Sequence, residues 1–355
     1  MSITESVNDK NLQEDIDYIA ESTDLSSMKD ATVLITGATG LVGSRMVLAL
    51  LGANRINNLG IKMLLLVRNR TKANEIFGDL LRRSDIDLLI QDLNRPINYD
   101  GPIDYIIHCA SVTASKTMVE KPVETIKTSV TGTLNVLDFA KSKDIKSMVY
   151  VSSMEMYGSF ADSITVTEDK LGYIDPLNVR SNYPESKRMC ENMCVAYSLE
   201  YQVPIKIARL SQVFGAGVLP GENRVFAQFA RSAMKGEDIV LHTKGLSEGN
   251  YCYLADAIKG ILIILTKGQD REAYNVVNES THTTIAGMAQ MVADKLSDGR
   301  CQLVFDIPKD NVFGYASDTR MKLDAGKLRA LGWEPTYGLE ESYRRLMETI
   351  RIQES

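Results

Sequence analysis

The sequence predicts an α/β protein: a doubly wound parallel sheet followed by a smaller C-terminal domain. Three observations carry this reading. Near-continuous apolar runs recur between residues 31 and 210, helical stretches separate them, and a glycine-rich turn joins the first run to the helix after it. Strands covered on both faces by crossover helices read as continuous apolar runs, whereas half-exposed strands alternate.

Taken in order, residues 1–30 are polar and acidic, with one weak amphipathic stretch at 12–19. They read as an arm or a loosely attached helix outside the main fold. Thr32-Val33-Leu34-Ile35 is a buried first strand. Thr36-Gly37-Ala38-Thr39-Gly40-Leu41-Val42-Gly43 is the turn, and a helix starts at Ser44. Residues 62–68 form the second strand, 87–90 a short third and 105–110 the fourth. A long helix over 125–141 leads to the fifth strand at 147–153. A helix over 184–201 leads to the sixth at 204–210. From 211 to 249 the regularity weakens and glycines, prolines and short elements dominate. A helix at 255–266 and a strand at 273–277 restore it. The expected division is an arm (1–30), a nucleotide-binding domain (31–210, rejoined over 251–278) and a second domain from 211–250 and 279–350.

The chain has 355 residues, 44% of them hydrophobic, enough for one large core or two smaller ones. Net charge is −6 and the basic residues are scattered, which argues against a nucleic-acid partner. The apolar stretch 261–265 is too short to span a bilayer, and the N-terminus lacks signal-peptide character, so no membrane and a cytoplasmic location are expected. The cysteines, five in number, contain no paired C-x-x-C motifs and read as reduced, packed thiols. The histidines, three in all, show no ligand spacing, so no metal is expected.

Strand, glycine turn and helix together bring a dinucleotide pyrophosphate onto backbone N–H groups at a helix N-terminus. Glycine is required where a Cβ would block the turn or the phosphate approach. The spacing G-x-x-G-x-x-G also fits an incidental turn when taken alone. Tyr183-Pro184-Glu185-Ser186-Lys187 opens a helix and puts a phenol and an ammonium at i and i+4 on one face. A nearby ammonium favours the ionised phenol, which suits it as a base near neutral pH. The pair lies 30 residues after a strand ending in Ser152-Ser153, whose hydroxyl can bond the alcohol being oxidised.

With these motifs in this order, the chain resembles the extended short-chain dehydrogenase/reductase family, within it the nucleotide-sugar epimerases and dehydratases. The resemblance runs from about residue 31 to 338. It is carried by TGATGLVG, Asp92-Leu93, HCAS at 108–111, Lys121-Pro122, VTGTLNVLDFA at 130–140, SSMEMYG at 152–158, YPESKRMCE at 183–191, ARLSQVFGAG at 208–217 and YCYLAD at 251–256. It implies a Rossmann sheet with a C-terminal substrate-binding domain, a nucleotide-sugar substrate and NAD or NADP. By the same resemblance Tyr183 is the proton acceptor, Lys187 tunes it and holds the nicotinamide ribose, and Ser153 orients the sugar hydroxyl. Gly37, Thr39, Gly40, Leu41, Val42 and Gly43 surround the pyrophosphate, Asp92 and Leu93 lie along the adenine, and Ala110 lines the nicotinamide side. Thr113, Gln212 and Arg224 fall at substrate-contacting positions. The helix carrying Met189, Cys190, Met193, Cys194 and Tyr197 would form a homodimer seam with the long helix before it.

Glu155 discriminates among reactions. The dehydratases of the family carry an aspartate–glutamate pair after the hydroxyl residue, and the nucleotide-sugar acid decarboxylases a glutamate without that aspartate. Here Met154 precedes Glu155. A carboxylate beside the sugar can move the C5 proton once C4 is a ketone, or it can simply bond backbone at the strand end. Four positions depart from the family pattern. Arg68 stands where an acidic residue would bind the ribose of NAD. It suits a 2′-phosphate and leans to NADP, or stacks on adenine with NAD bound. Ser129 replaces a helix asparagine, Gln212 an asparagine, and Gly249 an arginine that clamps the diphosphate. Arg224 can replace that charge or be a surface residue. The expected activity is transient oxidation at C4 followed by epimerisation or dehydration. Alternatives are decarboxylation of a UDP-glucuronate-like substrate, net NADPH-dependent carbonyl reduction, and non-catalytic dinucleotide sensing.

Overall fold

The structure is a computed structural model and describes residues 4–308 and 318–355. Helix α1 (Lys10–Ser22) precedes strand β1 (Thr32–Thr36), helix α2 (Leu41–Asn57), β2 (Lys62–Val67), α3 (Arg70–Phe77), β3 (Ile86–Ile90) and β4 (Tyr105–His108). Then come α4 (Ser115–Glu120), α5 (Pro122–Ser142), β5 (Ser147–Ser153), β6 (Ile164–Val166), α6 (Asn182–Tyr201), β7 (Ile205–Leu210) and β8 (Gln212–Phe214). The remainder holds α7 (Val225–Lys235), β9 (Ile239–Leu241), β10 (Glu248–Tyr253), α8 (Leu254–Lys267), β11 (Ala273–Val276) and β12 (Asn278–Thr284). It ends with α9 (Ile285–Leu296), β13 (Leu303–Phe305), β14 (Met321–Leu323), α10 (Gly326–Arg329) and α11 (Leu339–Glu354).

Seven parallel strands make the central sheet, in the order β11-β7-β5-β4-β1-β2-β3. The order reverses between β1 and β4, the place where such sheets bind ligands beyond their carboxyl ends. The apolar runs are continuous because each strand feeds two cores. Val33, Ile35, Leu65, Ile107, Val149 and Val151 face the layer of α1, α2 and α8. Leu34, Leu64, Leu66, Ile106, Met148 and Tyr150 face the layer of α5 and α6. A third core gathers Phe214, Phe226, Phe229, Tyr251, Met288, Val292, Tyr343 and Leu346, from α7, α9, α11 and the short strands beside them.

Residues 4–30 are not a loose arm, and residues 1–3 of that expected segment lie outside the described residues. Asp9 caps α1 by accepting from the Leu12 N–H at 3.0 Å. Leu12, Ile16, Ile19 and Ala20, at helical spacing, are buried in the core beside α2 and α8. Ile16 packs so tightly on Gly52 of α2 that a Cβ there would lie 2.4 Å from its Cγ2. The acidic residues that made the segment look solvent-facing have partners far along the chain. Asp15 accepts from Tyr253 at 2.6 Å and pairs with Arg345 of α11 at 3.0 Å; Glu5 pairs with Arg55 at 2.9 Å. Among the described residues, no helix is long and apolar enough to cross a membrane.

Candidate active site

The turn between β1 and α2 has the shape its glycines suggested. Gly37 has φ +66°, and a Cβ on it would lie 2.7 Å from the Ala110 backbone. A Cβ on Gly43 would lie 2.3 Å from the Gly37 carbonyl oxygen. Gly40 is the N-cap of α2 and offers no side-chain cap, so the first N–H groups of Leu41, Val42 and Gly43 keep their capacity for an anion. Thr39 sits half-buried in the same turn. Ala110 donates its N–H to Thr36 Oγ1 at 3.3 Å, and the next residue, Ser111, has a buried hydroxyl without a partner. An uncapped helix start, a glycine cradle and an orphaned hydroxyl facing one sheet end fit a dinucleotide. Leu93 is buried, with its carbonyl accepting from Asn135 at 2.6 Å, while Asp92 is exposed and accepts from Asn94. Arg68 is exposed just past β2.

Ser153 ends β5, and the turn Met154–Tyr157 continues from it, its first N–H group at Glu155 donating to Ser153 Oγ at 3.2 Å. Tyr183 lies in the first turn of α6, buried, with the Ser153 hydroxyl as a hydrogen-bond partner that lowers its pKa. Lys187 lies one turn on. Its ammonium is buried, 5.7 Å from the centre of the Tyr183 ring, and donates to the Val151 carbonyl at 2.9 Å. The sequence expectation was an acidified phenol. Instead burial raises the Tyr183 pKa, the Glu155 charge raises it further, and Ser153, Arg180 and Arg224 pull against them. Burial also lowers the pKa of Lys187. A phenol out of water resists ionisation unless positive charge stands close by.

Glu155 accepts from Arg180 Nη2 at 2.9 Å. Sequence reasoning missed Arg180, which lies in the turn just ahead of α6, three residues before Tyr183. Its guanidinium stands 5.9 Å from the Tyr183 ring centre. Also missed was the brace below. Ser152 Oγ donates to Glu191 at 2.5 Å, Arg209 grips Glu191 through Nε and Nη2 at 3.1 and 2.8 Å, and Arg209 Nη1 donates to Tyr157 at 2.9 Å. This buried fork ties the tip of β5 to α6 and holds Ser153 beside Tyr183; removing one partner costs about 3–5 kcal/mol. His108 is not a site base: it bonds Thr36 and Thr133, and burial pushes its pKa down to about 3.

The remaining candidates lie further out. Arg224 precedes α7, pairs with Glu222 at 2.7 Å and has a charge that reaches Tyr183. Gln212 is half-buried on β8, and Thr113 is exposed between β4 and α4. No hydrogen bond joins either to the Tyr183 cluster among the described residues. Gly249 lies in β10, where a Cβ would meet nothing within 4 Å. Ser129 is buried with its hydroxyl unpartnered.

Comparison with known proteins decides the family. The profile of the NAD dependent epimerase/dehydratase family matches residues 33–277. The chain belongs to that family. It is thus an NAD-dependent enzyme of the epimerase/dehydratase type, and the fold and family expected from the sequence hold. Among curated relatives of this family member, UDP-glucuronic acid decarboxylase 6 of Arabidopsis thaliana is 27% identical over 325 residues, covering 90% of this chain and 89% of that one. UDP-glucuronic acid decarboxylase 1 of Danio rerio is 27% identical, covering 91% and 73%. Among solved structures, an epimerase from Methanothermobacter thermautotrophicus has a TM-score of 0.76 at 21% identity, covering 95% and 98%. UDP-glucuronic acid 4-epimerase from Bacillus cereus, in complex with UDP-glucuronic acid and NAD, has a TM-score of 0.74 at 20% identity, covering 90% and 99%.

Proposed function

We propose that this enzyme oxidises C4 of a nucleotide-linked sugar transiently, and that its substrate is a nucleotide-linked uronate that loses carbon dioxide. The observation that carries the first part is the Ser153–Tyr183–Lys187 group, at the same carboxyl end of the parallel sheet as the glycine cradle. The second part is supported by the decarboxylase relatives and by Glu155 standing without an aspartate before it.

In this reading Gly37, Gly40 and Gly43 receive the pyrophosphate, Ala110 and Ser111 flank the nicotinamide and Lys187 holds its ribose. NAD bound there would supply the acceptor for the C4 hydride and a positive charge beside the phenol. Tyr183 removes the C4 hydroxyl proton while Ser153 shares the developing charge. C4 becomes a ketone, and a C6 carboxylate is then β to it. The C5–C6 bond breaks, carbon dioxide leaves, and its electron pair passes into an enolate spanning C5, C4 and the C4 oxygen. In this reading Glu155 manages the proton that returns to C5. Return of the hydride leaves no net cofactor change, which separates this reading from a net carbonyl reductase.

Tyr183→Phe should lower turnover of UDP-glucuronate by about 10²–10⁴-fold while leaving NAD affinity within about twofold. Pentose formation measured by mass spectrometry gives the first and calorimetry the second. Unchanged turnover would remove Tyr183 from the reaction. Arg68 beyond β2, in place of an acidic residue, supports use of NADP as well, and competition of NADP against NAD in the same calorimeter decides it. A homodimer is supported by the exposed apolar stripes of α5 and α6.

A further inference from the structure

We propose that Arg180 reads the charge on the sugar: its guanidinium receives a C6 carboxylate, so that the cleft selects a uronate over the matching neutral hexose. The inference rests on the C4-oxidation reading and assigns its selectivity to one side chain.

The first argument is placement. Arg180 sits in the 3-10 turn Val179–Ser181, which runs directly into α6. The backbone there is set in advance: Asn178 accepts from the Arg180 N–H at 2.9 Å, and Asn182 ties the turn to α4 by donating to the Met118 carbonyl at 2.7 Å. The guanidinium is therefore delivered 5.9 Å from the Tyr183 ring by a braced segment rather than by a free loop. A sugar whose C4 hydroxyl meets Tyr183 has C5, and the group carried on it, as the next neighbour along the ring.

The second argument is unused capacity. A guanidinium has five N–H donors in a planar fork that matches a carboxylate. Among the described residues, the side chain spends one contact on Glu155, at 2.9 Å, and is 29% exposed. The rest of the fork can serve a second carboxylate through two parallel N–H bonds, where a neutral hydroxyl offers a single oxygen.

The third argument is charge. Glu155 alone would repel a carboxylate at C6. Paired with Arg180 it is neutralised, Glu222 likewise neutralises Arg224, and Lys187 leaves the cleft with a positive excess around Tyr183. A uronate completes that balance, and a neutral hexose does not. Loss of carbon dioxide removes the second partner of the fork, so the pentose product leaves more readily than the substrate.

The test uses the Tyr183→Phe protein saturated with NAD, which binds without turning over. UDP-glucuronate, UDP-glucose and UDP are titrated by calorimetry. UDP-glucuronate should bind at least about tenfold tighter than UDP-glucose. Adding Arg180→Gln should erase that difference while leaving UDP and UDP-glucose within about twofold of their former affinities, and Arg180→Lys should restore part of it. Equal affinity for the two sugars before the second substitution overturns the inference. So does a preference that survives Arg180→Gln, or an equal loss for both sugars, which would make Arg180 only a support for Glu155. Failure of all three nucleotides to bind would sink the nucleotide-sugar reading itself, a result distinct from loss of selectivity.

Discussion

A phenol buried among one carboxylate and several cations has an acidity set by the balance of those charges. Around Tyr183, burial and Glu155 raise the pKa, and Ser153, Arg180 and Arg224 lower it. Glu155→Gln removes a raising influence, so the phenolate should form at lower pH. The rise of kcat/KM with pH should move to lower pH in that variant, and no movement would mean that Glu155 does not act on the phenol. If Glu155 also handles the C5 proton, solvent deuterium at C5 should fall more than C4 oxidation does. Tyr183, Lys187 and Ser153 were legible in the sequence because their spacing is set by one helix and one strand end. Arg180 was not, because an arginine just ahead of a helix looks like any solvated cation until the turn carrying Glu155, after β5, is folded against it. The sign of the Tyr183 shift was misread for a related reason. A spacing rule sees the ammonium of Lys187 but not the desolvation that outweighs it.

Elements were read more reliably than single residues. Each central strand fills two cores at once, so its apolar run is unbroken and its limits stand out. The helix pair α5 and α6 shows a second pattern. Ile126, Val130 and Leu134 recur at four-residue spacing on α5, as do Met189, Met193, Tyr197 and Tyr201 on α6. Ile126, Leu134, Met189 and Tyr201 are exposed. Cys190 and Cys194, expected in the same seam, instead face inward against Tyr150 and Ile205. Two adjacent apolar stripes on neighbouring helices suit a self-complementary twofold contact. Sedimentation should therefore give twice the chain mass, and Leu134→Glu should return it to the mass of one chain. A monomeric parent protein would refute the dimer.

At the scale of the whole molecule, α1 joins parts of the chain that are far apart in sequence. Its face toward α2 follows helical spacing and could be seen, weakly, in the sequence. Its polar face could not, because Arg345 and Tyr253 lie hundreds of residues away. Burial pushes Asp15 up to about 7 from an ordinary carboxylate value of 3.8, with Tyr253 and Arg345 pulling the other way. The folded protein then holds a proton that the unfolded chain releases between about pH 4 and pH 7. Stability from this group is greatest below pH 4, falls as pH rises toward 7, and is level beyond. Asp15→Asn cannot ionise, so its melting temperature should change less between pH 5 and pH 7 than that of the parent. Parallel melting curves for the two proteins would show that Arg345 keeps Asp15 charged throughout.

The clasp between α1 and α11 also closes the longest loops among the described residues. Asp9 and Asp15 reach Thr349 and Arg345 across 340 and 330 residues of chain. The same hydroxyl of Thr349 accepts from the Gly217 backbone, so the loop after β8 settles only when the final helix docks. Loss of the Thr349 hydroxyl would therefore unfasten the α1 cap and the loop after β8 together.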